Sequence, residues 1–334
     1  MRVANQTAAL KVQRFSALVT PLPRIFVSLL ALACSLAMAT GLLGAQAFII
    51  VDSKSGHILQ QREPKKKRQV GSLTKVAAAM VVLDWAERNG GDLGQMATIP
   101  PEAFVGVTEN LIGFEPGDSA SLRDLLYASL VQSDNIAAYT LASHVGEALR
   151  AIVPSAGDGA PVKIFVSQMN ALAKNLGMER TLFVNPHGID ARVKPVPYST
   201  AIDMARLSRY AMNKPGFRFY VSQKERQISF NSAGKQKNYV LRNTNELLGV
   251  NGVEGVKTGR TARAGDCLIL SAQREAEVIK HGPTSATVTP RHLIIVLLGS
   301  TNRFDEGRQL LDQGWQLYEQ WAATGRPVEP KKAL

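Results

Sequence analysis

Cysteine is scarce in this chain: two residues in 334, Cys34 and Cys267. Once the first 47 residues are removed only Cys267 remains, which excludes an intrachain disulfide and leaves it to pack as a small apolar residue in a strand. Acidic residues are absent before Asp52. Repeats and low-complexity tracts are also missing, which excludes solenoid and disordered classes. The five histidines, His57, His144, His187, His281 and His292, show no metal-ligand spacing. Neither a metal nor a cofactor is therefore expected.

What is present begins with a leader. Arg2, Lys11, Arg14 and Arg24 precede an apolar run from Ile25 to Leu43 that ends among small residues. A basic head, an apolar stretch and small residues read as an export signal. Ala37-x-Ala39 and Ala45-x-Ala47 are both cleavage candidates, and an uncleaved anchor is the alternative, since about twenty apolar residues span a bilayer. Ala33-Cys34 is a poor lipoprotein pattern, because Ala31 stands three positions before the cysteine. Residues 1–47 are thus read as export signal or membrane anchor, 48–323 as a catalytic domain and 324–334 as a short polar tail. The whole chain carries +12, and without the leader's four basic residues the exported part has 35 basic against 27 acidic residues, or +8. An exported chain of this charge suits an anionic polymer or membrane surface and excludes nucleic acid as partner, with membrane contact expected only if the leader is retained. The run Lys65-Lys66-Lys67-Arg68 reads as a solvated loop or a polymer contact.

Ser72 and Lys75 lie in Gly71-Ser72-Leu73-Thr74-Lys75, ahead of the apolar run Val76 to Leu83. At i and i+3 the two side chains share a helix face. The apolar positions go almost all the way round, so the helix is packed on most sides, and Asn89-Gly90-Gly91 ends it. A lysine desolvated beside a serine can take its proton once its own pKa is depressed. Ser72 could equally be a helix N-cap. The same spacing recurs at Ser232 and Lys235, in a polar stretch that reads as a hairpin turn.

Two further motifs follow in order: Ser133-Asp134-Asn135 after a helical segment, and Lys257-Thr258-Gly259 before a strand-like one. S-x-x-K, S-D-N and K-T-G form the set carried by penicillin-binding proteins and serine β-lactamases. From about Phe48 to Trp321 the chain resembles the serine D-alanyl-D-alanine carboxypeptidases and DD-endopeptidases, the low-molecular-weight penicillin-binding proteins. Asn185-Pro186-His187-Gly188, Tyr198-Ser199-Thr200-Ala201, Arg242-Asn243-Thr244-Asn245 and Ala264-Gly265-x-Cys267-Leu268 match as well.

The resemblance implies an acyl-enzyme on Ser72, with Lys75 as base. Ser133 relays a proton to the leaving amine, and Asn135 holds Lys75 and the substrate amide. Lys257 and Thr258 bind the substrate carboxylate, Gly259 lets the substrate lie close to the sheet edge, and the N–H groups of Ser72 and Arg260 form an oxyanion hole. Peptidoglycan stem peptides are the implied substrate, β-lactam antibiotics the implied covalent ligands, and the periplasm or cell envelope the implied location. His187 invites a triad or zinc reading, but its setting reads as a turn.

Strand patterns at both ends and helices between them give an α+β fold: an antiparallel sheet flanked by helices with an inserted all-helical lobe. Glu275 to Pro290, rich in turn formers, reads as the loop of the last hairpin. Four activities fit: the carboxypeptidase; the endopeptidase branch, resembled because only residues 322–334 follow Trp321; a β-lactamase, disfavoured because no Glu-x-x-Leu-Asn is present; and a non-catalytic wall-binding module, which has no need of Lys75 and Lys257 together.

Overall fold

The computed structural model describes residues 44–152 and 159–334; the leader and both cleavage candidates lie at or beyond the edge of these residues. The chain enters through strand β1 (Ala47–Asp52) and hairpin partner β2 (Ile58–Arg62). A 3-10 turn, Gly71–Leu73, then runs into helix α1 (Thr74–Asn89), which Gly90 closes in the left-handed conformation at φ 58°. Strands β3 (Met96–Thr98) and β4 (Ser119–Ser121) precede α2 (Leu122–Leu130), α3 (Asn135–Ile152) and α4 (Pro161–Asn175). Helix α5 (Ala201–Met212) starts where the Thr200 hydroxyl accepts a hydrogen bond from Asp203 N; Thr200-x-x-Asp203 has the spacing of a capping box, with aspartate where glutamate is usual. After α6 (Pro215–Val221) come β5 (Glu225–Ser232), β6 (Lys235–Arg242), β7 (Val253–Thr261), β8 (Gly265–Lys280), β9 (Ala286–Ser300) and α7 (Arg303–Ala323).

Five of these strands form an antiparallel sheet in the order β2-β1-β9-β8-β7, so strands from both ends of the sequence lie side by side. Its central strands are apolar on both faces. Ile49, Val51, Ile269, Ile294 and Val296 join the core that contains α1. Alternate residues turn the other way under α7, where Gly314 lies against Ile50 and Leu293, and Gly307 against Leu268. Period-two side-chain alternation thus serves two hydrophobic layers at once. Helix α1 is buried throughout Val76 to Val82, matching its all-round apolar pattern. Strand β7 is an outer strand of the sheet, recessed between α6 and the 3-10 turn: a Cβ on Gly255 would meet Val221 at 2.8 Å and one on Gly259 would meet Val70 O at 2.6 Å.

The α+β architecture matches the sequence reading, with two corrections. The inserted lobe is not helical alone, because β3, β4, β5 and β6 form a second, four-stranded sheet beside α2 and α3. β3 and β4 have three residues each, too short for a periodic signal. The stretch from Glu275 to Pro290 is mostly strand: β8 runs to Lys280 and β9 starts at Ala286, pairing Val278 with Val288. This ribbon exposes Val278, Ile279 and Val288, so no buried face imposes an alternation. Pro290 sits beside an irregularity in the ladder, where a missing N–H costs little. Beyond α7 the chain folds back, with Trp321 Nε1 donating to Pro327 O and Leu334 N to Gly56 O.

Helices α3 and α4 touch at Gly146, where a Cβ would stand 2.1 Å from the Pro161 carbonyl oxygen. Gly146→Ala gains about 1 kcal/mol of helix propensity. The forced separation costs about 1–3 kcal/mol, and the neighbour here is rigid backbone. The variant is expected to unfold at a lower denaturant midpoint with an unchanged slope.

Candidate active site

Ser72 lies in the middle of the 3-10 turn, and neither helical start there carries a side-chain cap. Its hydroxyl is instead 2.9 Å from Lys75 Nζ, the contact that the i, i+3 spacing predicts. Lys75 Nζ also reaches Asn135 Oδ1 at 2.6 Å and the His187 carbonyl oxygen at 3.1 Å. The lysine is wholly shielded from solvent, and this burial lowers its pKa to about 7. Two of its neighbours are oxygens that only accept. A neutral amine can donate one N–H to each and turn its lone pair to the Ser72 O–H, which is the geometry for taking the serine proton.

Asn135 opens α3, and the turn before it holds Ser133 in the left-handed region at φ 68°. A non-glycine residue there costs about 1–2 kcal/mol, so the surrounding structure fixes the conformation. Asp134 accepts from Ala137 N at 2.7 Å, tying the turn to α3. Burial raises its carboxyl to about 6, and its charge in turn holds the Lys75 pKa up. The structure therefore assigns Asp134 an electrostatic link to the serine–lysine pair beyond a capping role.

Lys257, Thr258 and Gly259 follow one another along β7. Lys257 is buried, with Nζ donating to Thr258 O at 3.1 Å. Burial first, then the cations of Lys75 and Arg303, hold its pKa far below the usual lysine range. An incoming carboxylate would reverse that pressure, so the group is poised for an anion. Thr258 Oγ1 is 2.7 Å from Thr244 Oγ1, which places the Arg242–Asn245 segment beside β7. Gly259 also meets a packing need. The space its missing side chain leaves faces the 3-10 turn that carries Ser72, where a Cβ would be 2.6 Å from Val70 O, 3.1 Å from Leu73 N and 3.2 Å from Ser72 N. Arg260 sends its side chain, 77% exposed, towards Asp266 at 3.5 Å. Its backbone N approaches Gly71, standing 3.1 Å from where a Cβ would be.

Ser72, Lys75 and Asn135 thus meet directly, and Lys257 couples to them through charge. The decoy pair Ser232 and Lys235 closes the β5–β6 hairpin, as expected. His187 belongs to a turn: Asn185 Oδ1 accepts from Gly188 N at 2.6 Å, and the ring Nδ1 accepts from Ile189 N at 3.2 Å. Burial, with Lys75 nearby, lowers the imidazole to about 3, so it stays neutral. Among the described residues no cluster of three or more His, Cys, Asp or Glu could hold a metal, and no helix is long and apolar enough to cross a membrane. Three participants take roles that the sequence reading does not assign, although His187 and Thr244 lie in stretches that match the family. The His187 carbonyl is backbone, Thr244 pairs across 14 residues, and Arg303 donates to Gly259 O at 3.1 Å from the start of α7.

An antiparallel sheet, an inserted lobe and a serine–lysine pair between them define the DD-peptidase class of penicillin-binding proteins. The chain belongs to the D-alanyl-D-alanine carboxypeptidase family, S11, whose sequence model matches residues 36–280. It is similar to the D-alanyl-D-alanine carboxypeptidase DacC of Escherichia coli, 30% identical over 295 residues, covering 86% of this chain and 64% of that one. It is also similar to a D-alanyl-D-alanine endopeptidase of Pseudomonas aeruginosa, 30% identical over 232 residues, covering 68% of this chain and 67% of the other. The chain thus spans just under two thirds of the length of DacC. Among solved structures, the Streptomyces K15 DD-transpeptidase superposes with a TM-score of 0.68 at 27% identity, over 82% of this chain and 98% of its own.

Two outcomes follow from this geometry. Gly259→Ala should push the nucleophile turn off β7, costing about 1–3 kcal/mol of stability and slowing covalent labelling by penicillin; an unchanged labelling rate contradicts the packing argument. Acylation, which needs a neutral Lys75, should rise with pH through about 7 and level off above it. Asp134→Asn removes the charge that holds the Lys75 pKa up. The rising limb should therefore move to lower pH, and a limb that stays put or moves up refutes the link.

Proposed function

We propose that this protein is a serine-type D-alanyl-D-alanine carboxypeptidase that trims peptidoglycan stem peptides through an acyl-enzyme on Ser72. The observation that carries the reading is the 2.9 Å contact between Ser72 Oγ and a buried Lys75 whose pKa has fallen to about 7. Family membership supplies the substrate class.

Lys75 takes the hydroxyl proton as Ser72 Oγ attacks the carbonyl between the two D-alanines. The N–H groups of Ser72 and Arg260 bind the developing oxyanion. Ser133 delivers a proton to the leaving amine, free D-alanine departs, and water cleaves the ester to restore the serine. Lys257 and Thr258 hold the terminal carboxylate, and Asn135 holds Lys75 and the substrate amide. The open edge of β7 accepts the substrate as an extended strand. β-Lactams enter the same pocket as covalent ligands, in keeping with the ampicillin-bound form of Penicillin-Binding Protein D2 from Listeria monocytogenes, a structural neighbour with a TM-score of 0.64 at 25% identity. Export to the periplasm or cell envelope accords with the basic-then-apolar residues 1–47, ahead of a catalytic domain at 48–323.

A second reading, a DD-endopeptidase that cuts cross-links with the same residues, is favoured by the similarity to the Pseudomonas aeruginosa endopeptidase. Mass spectrometry of muropeptides separates the two. Loss of one alanine from monomers is expected, whereas conversion of dimers to monomers identifies the endopeptidase. Ser72→Ala should abolish both the product and labelling by a fluorescent penicillin; persistent labelling assigns the nucleophile elsewhere.

A further inference from the structure

Six of the chain's basic residues crowd three loops that hold none of the residues placed in the reaction. Lys65, Lys66 and Lys67 project from the loop after β2, Arg192 and Lys194 from the loop after the His187 turn, and Arg263 from the β7–β8 turn; all six are exposed. None of the six forms an ion pair among the described residues. Arg260, near the end of β7 beside the third loop, is engaged with Asp266.

The loops are bonded to one another. Arg68 and Ser199 exchange backbone hydrogen bonds, each 2.8 Å, and Gln69 Nε2 donates to Pro197 O at 3.4 Å. Lys67 Nζ stands 4.2 Å over the Tyr198 ring. Thr261 Oγ1 donates to Asp190 Oδ2 at 2.7 Å, which ties the second loop to the third. The third in turn abuts Gly71, next to Ser72. The result is a basic ridge continuous with the nucleophile turn. Glu63 and Glu179 are the exposed acids on its flank, whereas Asp190 is buried beneath it.

We propose that this ridge binds the carboxylate-bearing stems of the peptidoglycan strand beyond the bond being cut, holding the polymer while one stem enters the crevice. This rests on the proposed function, whose substrate it extends from a peptide to a polyanion. A focused positive surface next to a site raises local substrate concentration. The alternative anionic surface, a lipid membrane, favours bases interleaved with exposed apolar side chains. The large exposed apolar residues of the described chain, among them Val105, Leu111, Phe219 and Val278, lie outside these three loops. The ridge is hydrophilic, as a contact with a hydrated polymer requires.

Two full-length variants test the proposal: Lys65→Gln/Lys66→Gln/Arg192→Gln/Lys194→Gln on the ridge, and Lys174→Gln/Lys235→Gln/Lys237→Gln/Lys280→Gln, an equal charge loss on other exposed surface. Co-sedimentation with purified peptidoglycan sacculi should weaken at least about tenfold for the ridge variant and little for the control, and wild-type binding should fall as salt is added. Hydrolysis of a short soluble peptide ending in D-Ala-D-Ala should be the same in all three proteins. Equal sacculus binding by the two variants overturns the proposal, as does wild-type binding to phosphatidylglycerol vesicles in place of sacculi. A ridge variant that also loses short-peptide hydrolysis overturns the separation of ridge from crevice. Failure of the wild type to hydrolyse the short peptide is a different result: it strikes the proposed function and leaves the sacculus measurement readable.

Discussion

A lysine amine kept away from water is the constraint that organises this molecule. Moving an ammonium into an apolar interior costs several kcal/mol even after relaxation, so the group gives up its proton instead. Lys75 does so because α1 is enclosed on all sides, and the carboxylate of Asp134 opposes the shift only in part. Everything around it supplies either acceptors for its N–H bonds or walls against solvent. Elements from distant parts of the chain meet at that one nitrogen: the 3-10 turn, the start of α3 and the His187 turn.

Glycine makes that convergence possible at two positions. Gly188, at φ 87°, lies so close to Gly71 that a Cβ would be 2.0 Å from its carbonyl oxygen. Gly259 brings β7 close as well, where a Cβ would be 2.6 Å from Val70 O. The nucleophile turn is therefore clamped between a loop and a strand, and the hydroxyl is held in place before any substrate arrives, which lowers the cost of ordering the reacting groups.

Much of this was legible in the sequence, for physical reasons that differ by element. Ser72 and Lys75 declared themselves through helical spacing, Thr200 and Asp203 through capping chemistry, and Ala233-Gly234 through turn chemistry. The central strands were visible as apolar runs. What could not be read either lacks a periodic face or acts through backbone. The β8–β9 ribbon is wet on both sides, and β3 and β4 are too short for any pattern. The His187 carbonyl carries no side-chain identity, and Arg303 is an ordinary helix-start residue until α7 is docked on the sheet. Gly259 was singled out for its lack of a side chain, but only the packing shows which neighbour needs the space.

Strand β7 also has a consequence for how the folded protein keeps company with itself. An outer strand with free amide and carbonyl groups is an invitation to another sheet, the usual route to ordered aggregation. Here part of that row is already engaged: Asn245 Nδ2 donates to Gly255 O, Lys257 Nζ to Thr258 O and Arg303 to Gly259 O, while α6 and the 3-10 turn pack against one face of the strand. The strand also carries its own guard, the inward-pointing Lys257 at its centre, a residue type that natural edge strands use against polymerisation.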